Sequence, residues 1–210
     1  MKFFAVLVAF LALAPGALAG GYRTAVLPAA EDVSMPFMCN WGYDWDERCY
    51  RDDLDRLELG GAGDKVWRAG IRFSLDAIPS NAMVLTAELW LRYDGTCVAP
   101  LRRTQPCSGR GYAFEARPIY SPRWAAEREV EYGPAVSWAE LDADAAPQWV
   151  VWDVTDQVAD WISGGSPNYG LLLKLADEQE DYDLPGPAFP SSSYADPAQQ
   201  PRLVVDYMTG

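Results

Sequence analysis

Apolar and polar residues alternate along much of the chain. Val84–Tyr93 is the cleanest case: Leu85, Ala87, Leu89, Leu91 and Tyr93 alternate with Val84, Thr86, Glu88, Trp90 and Arg92. A period of two is that of a half-buried strand, so Trp90 is predicted to point outward between Glu88 and Arg92. Val66–Leu75 reads the same way, with Ile71, Phe73 and Leu75 on one face and Arg72 and Ser74 on the other. Leu54–Gly60 places Leu57 and Leu59 inward, and Tyr112–Ile119 places Phe114 inward. Shorter strands are expected near Thr24–Leu27, Val130–Tyr132 and Val136. Asp94–Gly111 reads as a long loop.

One stretch breaks the rhythm. Trp149–Asp153 is rich in aromatic and β-branched residues and reads as a strand. Val154, Val158, Trp161 and Ile162 then recur at helical spacing on one face. Asp153 or Thr155 can N-cap this helix, because a short side-chain oxygen accepts a free backbone N–H. Gly164 and Gly165 end it, since glycine tolerates positive φ. Ser166-Pro167-Asn168 turns the chain into Leu171–Leu173, apolar enough for a central strand. Trp149, Trp152 and Trp161 are read as core.

Eight to ten strands and one short helix, separated by turn signals and without a βαβ rhythm, predict an all-β fold. The expected form is an antiparallel jelly-roll β-sandwich with one short helix. The 210 residues suit one such domain. Met1–Ala19 reads as a signal peptide: Lys2, an apolar run from Phe3 to Ala14, then the small-residue site Ala17-Leu18-Ala19. The domain is then Gly20–Gly210, secreted, with no membrane anchor.

The ordered motifs of the chain resemble the DNRLRE (disaggregatase-related) domain, which is similar to carbohydrate-binding module family ninety-six. The central stretch W-D-V-T-D…V…W…G-G…N-Y-G-L-L-L-K carries most of the likeness. Glu31-Asp32-Val33 stands where such domains have their opening strand. Leu54–Gly60, Asp76–Ala82 (D-A-I-P-S-N-A) and Val84–Tyr93 follow in the family's order. Ser121-Pro122-Arg123-Trp124 lies near its "W-x-E" element. Phe189–Asp196 resembles its "F-x-S-R-E" strand, and Arg202–Tyr207 its closing strand. The likeness spans roughly Glu31–Tyr207. It implies a non-catalytic domain that binds polysaccharide or a cell-surface glycan.

Charge and cysteine narrow the picture. A net charge of −13 argues against nucleic acid, anionic membranes and strongly anionic polysaccharides. The absence of histidine removes the commonest general base. Export makes Cys39, Cys49, Cys97 and Cys107 disulfides rather than metal ligands. Of three connectivities the local pairs Cys39–Cys49 and Cys97–Cys107 are preferred. A four-cysteine zinc site is the rival, but it lacks C-x₂-C spacing.

Sugar recognition needs flat apolar faces for pyranose C–H groups and polar groups for hydroxyls. Nine tryptophans and eleven tyrosines are a heavy aromatic load. Trp41, Tyr43 and Trp45, interleaved with acids inside the Cys39–Cys49 loop, are the first candidate surface; the alternative is that they pack the loop down. Trp90 is the second; the alternative is cover by the Cys97–Cys107 loop. Asp177, Glu178, Asp181 and Asp183 crowd oxygen ligands as structural calcium requires, although solvated charge explains such a run more often. Paired carboxylates could serve a glycosidase, but no motif argues for catalysis. The competing function is an extracellular structural or adhesive module with protein partners.

Overall fold

The computed structural model describes residues 20–36, 55–62, 65–99, 103–107, 109–124, 130–178 and 186–210. The expected signal peptide and the Cys39–Cys49 loop lie outside them. The chain adopts the expected class: all-β, antiparallel, with one short helix. Among the described residues there are thirteen strands. These are β1 (Tyr22–Pro36), β2 (Arg56–Glu58), β3 (Gly60–Ala62), β4 (Lys65–Phe73), β5 (Met83–Tyr93), β6 (Thr96–Ala99) and β7 (Arg103–Pro106). Then come β8 (Tyr112–Pro118), β9 (Ser137–Leu141), β10 (Gln148–Asp153), α1 (Thr155–Ser163), β11 (Leu171–Leu175), β12 (Gly186–Pro190) and β13 (Arg202–Met208). The surplus over the expected eight to ten comes from short strands in segments that read as loops. Asp94–Gly111, for example, holds the β6–β7 hairpin, stapled by Cys97–Cys107.

The main sheet runs β10-β5-β13-β1-β4-β11-β8-β9, with β3 added on β4. Its first half, up to the start of β1, makes one wall; its second half makes the other. β1 belongs to both. Tyr22–Pro28 pairs with β13, Ala29–Pro36 pairs with β4, and the register shifts between Ala29 and Glu31. A bulge bends a strand and increases its twist, which here turns one sheet back over itself. The ends β9 and β10 approach each other, so the sheet is a nearly closed barrel.

The core fills the space between the walls. Leu89, Leu91, Val150, Trp152, Leu203 and Val205 face Ile71, Phe73, Phe114, Ala116, Leu171 and Leu173. The second sheet, β2-β12-β6-β7, closes one end. Its Phe189 reaches inside, with ring centroids 5.7 Å from Phe114 and 6.4 Å from both Trp152 and Tyr93. A second, smaller core lies outside the β4 wall: Val33, Ile119, Trp124 and Leu172.

Leu85 departs from its expected inward position and is exposed. The cause is a bulge in β5 itself: the consecutive β13 residues Asp206 and Tyr207 pair with Thr86 and Val84, which leaves Leu85 as the extra residue. That slip of one residue turns Val84 toward the core and Leu85 away from it.

Helix α1 plugs the other end with Val158 and Ile162. The N-cap position falls on Val154, and neither expected residue caps in the usual way. Asp153 accepts from the Thr155 N–H at 3.0 Å and from its hydroxyl at 2.6 Å. The Thr155 oxygen in turn accepts from the Ala87 N–H at 2.9 Å, while the Ala87 carbonyl accepts from Val154 at 2.8 Å. The T of W-D-V-T-D therefore replaces a missing strand partner for β5. Thr155→Val is expected to leave a buried N–H unpaired and to cost about 1–3 kcal/mol in chemical denaturation. A loss under about 0.5 kcal/mol would refute this role for the hydroxyl.

The N-Y-G part of the same motif is also a backbone lock. Asn168 donates to the Phe73 carbonyl at 2.9 Å and accepts from the Gly170 N–H at 3.2 Å. Gly170 has φ +98° and sits so close to β4 that an added Cβ would lie 2.5 Å from the Ile71 oxygen. Glycine alone fits both conditions. Elsewhere, Asp32 on the opening strand accepts from the Ser192 N–H at 2.7 Å and its hydroxyl at 2.8 Å, tying β1 to the Ser191–Ser193 turn. Burial pushes the Asp32 carboxyl up, against the pull of these bonds.

Candidate functional site

Trp90 points outward, as its alternation requires, on the wall made by β10, β5, β13 and β1. It is not open. Its indole N–H donates to Glu88 at 2.9 Å, and the Arg202 guanidinium lies 5.1 Å from its ring centroid. Trp149 meets it edge-on at 6.0 Å, and Arg202 lies 4.2 Å from the Trp149 centroid. Cation–π stacking of this kind accounts for the cluster's order, and it engages the faces that a sugar ring would use.

Trp149 therefore corrects the sequence reading. It is half-buried on the outer face, opposite Arg92, and not in the core. Residues three apart on a strand point to opposite sides, so Trp149 and Trp152 cannot both face inward. Trp152 does, at 0% exposure, and Trp161 packs half-buried against the core from the helix.

The calcium candidates divide. Asp181 and Asp183 lie outside the described residues, as do Trp41, Tyr43 and Trp45. Asp177 is exposed. Glu178 places both carboxylate oxygens on Arg68, at 2.8 and 2.5 Å. Lys174 stands 3.6 Å from both Glu178 and Glu115, and Glu115 accepts from Arg117 at 2.7 Å. Burial works against the charged form of Glu115, but Arg117 and Lys174 outweigh it and hold the carboxyl below the usual range. The arrangement is an ion network across β4, β11 and β8. Among the described residues no group of three or more acids or cysteines is placed to hold a metal ion.

Among the described residues, polar and aromatic side chains also meet in the open where the barrel fails to close. A cleft of about 650 Å³ opens between the start of β9 and the β10–α1 junction. Trp138 lines it with 60% of its surface exposed, beside Val136. Asp153, Asp156, Gln157 and Asp160 supply its polar lining. Two hydrogen bonds from Thr155, through its hydroxyl and its N–H, hold the Asp153 carboxyl below the usual carboxylate range. Asp160 accepts from the Ser166 hydroxyl. The cleft thus pairs a flat indole with carboxylates and an amide, which is the combination a pyranose requires.

Sequence reasoning stopped at a short strand near Val136 and missed this site. The signal was present. In V-S-W-A-E-L, Ser137, Ala139 and Leu141 are buried while Trp138 and Glu140 are exposed. A tryptophan sharing a strand face with a glutamate is an outward tryptophan. Its opposite wall could not be read, because α1 reaches β9 only through the closure of the barrel. No protein-family model matches the chain, and no curated protein sequence is significantly similar to it.

Proposed function

We propose that the chain is a secreted, non-catalytic carbohydrate-binding module of the DNRLRE type and that its binding site is the Trp138 cleft. The observation that carries this reading is the exposed indole facing acid and amide groups across an open cleft. Trp90 becomes a structural residue of the adjoining wall. The resemblance of the ordered motifs supports the same class of ligand. Structural calcium at the acidic run would have to be held by Asp177, Asp181 and Asp183 without Glu178, whose two oxygens are engaged by Arg68, and it is tested by adding chelator.

Trp138→Ala is expected to weaken binding on a glycan array by about two- to tenfold, the loss that goes with ring contacts worth about 0.5–1.5 kcal/mol. The change is at an exposed site and should leave the unfolding midpoint nearly unmoved. Binding that survives Trp138→Ala but falls with Trp41→Ala or Trp45→Ala would transfer the site to the Cys39–Cys49 loop. Silence of the folded protein across a broad array would refute the reading.

A specific observation favours a second reading, an extracellular structural or adhesive module. Tyr22, Met208 and Met83 are exposed and are consecutive cross-strand neighbours on β1, β13 and β5. Concentration-dependent association without glycan affinity would support that role.

A further inference from the structure

We infer that the outer face of the wall made by β10, β5, β13 and β1 is the contact surface for a second copy of this chain, turned end for end about a two-fold axis that crosses the strands. The pairing holds whether or not the Trp138 cleft binds a sugar.

The face is apolar and open. Among the described residues eight large apolar side chains are exposed, and five of them, Tyr22, Val26, Met83, Leu85 and Met208, belong to this wall. They are neighbours. Tyr22, Met208 and Met83 form one cross-strand row, and Val26 pairs with Val204 two rows on. The row between is polar but closed on itself, since Asp206 accepts from the hydroxyls of Thr24 and Thr86. A contiguous apolar patch on a folded chain marks a place where something binds.

Charge says what binds. A net charge of −13 repels a second copy, so a self-contact has to set basic groups on acidic ones. This wall sorts them. Arg92 and Arg202 stand at one end, with Trp90 and Trp149; Glu88, Asp153 and Asp206 stand toward the other. The basic end lacks counter-ions. Arg56, Arg68, Arg72 and Arg117 each hold a carboxylate at 2.5 to 2.7 Å. Arg92 and Arg202 are half-buried and hold none among the described residues, and the Nε of Arg202 is buried without an acceptor. A guanidinium stacked on indoles keeps its in-plane N–H groups for an anion.

The spacing suits a two-fold axis. Arg202, Val204 and Asp206 share the outer face of β13, and at the rise of a strand the two charges stand about 13 Å apart. An axis crossing β13 at Val204 brings Arg202 of each copy to Asp206 of the other. It also carries the Tyr22–Met208–Met83 row toward the Trp90–Trp149 stack, and thioether sulfur packs well on indoles. Glu88 lies near the axis and is already held by the Trp90 N–H. A contact that uses one patch twice closes at two copies. The face measures about 19 by 23 Å at sheet spacing, less than the roughly 800 Å² each partner gives to a standard interface, so the pair is weak and reversible, of micromolar affinity.

The test is sedimentation equilibrium of the folded, oxidised protein between about 5 and about 500 µM. The mass should climb from one chain to two and stop. Val26→Glu, at a site 60% exposed, should raise the dissociation constant at least about tenfold by placing an unpaired charge in the contact. Tyr120→Glu makes the same charge change at a site 53% exposed off the wall and should leave it unchanged. Arg202→Glu and Asp206→Lys should each be monomeric, and their equimolar mixture should associate again, because each supplies the charge the other lacks. A single-chain mass throughout would overturn the pairing, as would association that ignores Val26→Glu. Reversed variants that fold and dissociate but do not recombine would overturn the end-for-end arrangement. A mass climbing past two chains would overturn the closed pair and leave the open surface assembly of the second reading.

Discussion

Trp124→Ala is expected to destabilise the protein by about 3–5 kcal/mol, the usual cost of emptying a buried tryptophan site. Trp124 is 2% exposed, although it lies on the outside of the β4 wall. It packs there against Val33, Ile119 and Leu172. The floor beneath it is Gly70, the cross-strand neighbour of both Val33 and Leu172. A Cβ on Gly70 would lie 2.3 and 2.6 Å from two carbons of the indole. The ring rests on bare backbone and cannot yield as a flexible chain would. Gly70→Ala should therefore cost about 1–3 kcal/mol by overpacking. The double variant should cost less than the sum, because removing the indole removes the clash. Urea midpoints of the two single variants and the pair form the measurement. Strict additivity would mean that Gly70 matters for some reason other than Trp124.

Phe189→Ala is expected to cost about 3–5 kcal/mol, and its effect should reach beyond one side chain. Phe189 lies on β12, the strand joining β2 to β6 in the small sheet. It is fully buried, and its ring contacts Phe114, Trp152 and Tyr93 from both walls. Edge-to-face pairs of this sort add about 0.5–1.5 kcal/mol each beyond area burial. The substitution should loosen the small sheet from the end of the barrel as well as leave a cavity. Amide hydrogen exchange should show lost protection in β2, β12 and β6 together. Loss confined to β12, with a stability change under about 1 kcal/mol, would show that the small sheet does not depend on this anchor.

The long strands were legible because their faces differ. β5 and β8 bury one face and expose the other, so a period of two is written into Val84–Tyr93 and Tyr112–Ile119. The helix was legible from Val158 and Ile162 and from the glycines that stop it. Gly164 does take the left-handed conformation, at φ +78°. What failed has a common cause. Leu85 turned outward, and β1 proved to be one strand serving two walls; each depends on a bulge whose position a period of two cannot reveal. In the small sheet β2 was legible from the alternation of Leu57 and Leu59, but β6, β7 and β12 were not read as strands, because they are only four or five residues long and, in β7 and β12, interrupted by proline or glycine. The site was half legible. Trp90 was correctly turned outward, but the arginine that covers it comes from β13, far along the chain. Trp138 could have been found from its strand face, yet its acidic partners reach it only through the fold.

The double duty of β1 bears on how the chain acquires its shape. Tyr22–Pro28 pairs with residues 202–208, and β13 also fills the place between β1 and β5. Until that last strand is made, two apolar strands have bare edges that invite pairing with other molecules. Contacts so distant in sequence form slowly, since the intervening loop must close first. The wall made by β10, β5, β13 and β1 therefore cannot form before residues 202–208 take their place between β5 and β1. The two walls depend on this one strand insertion, so changes in β13 should be felt in β1 and β5 alike.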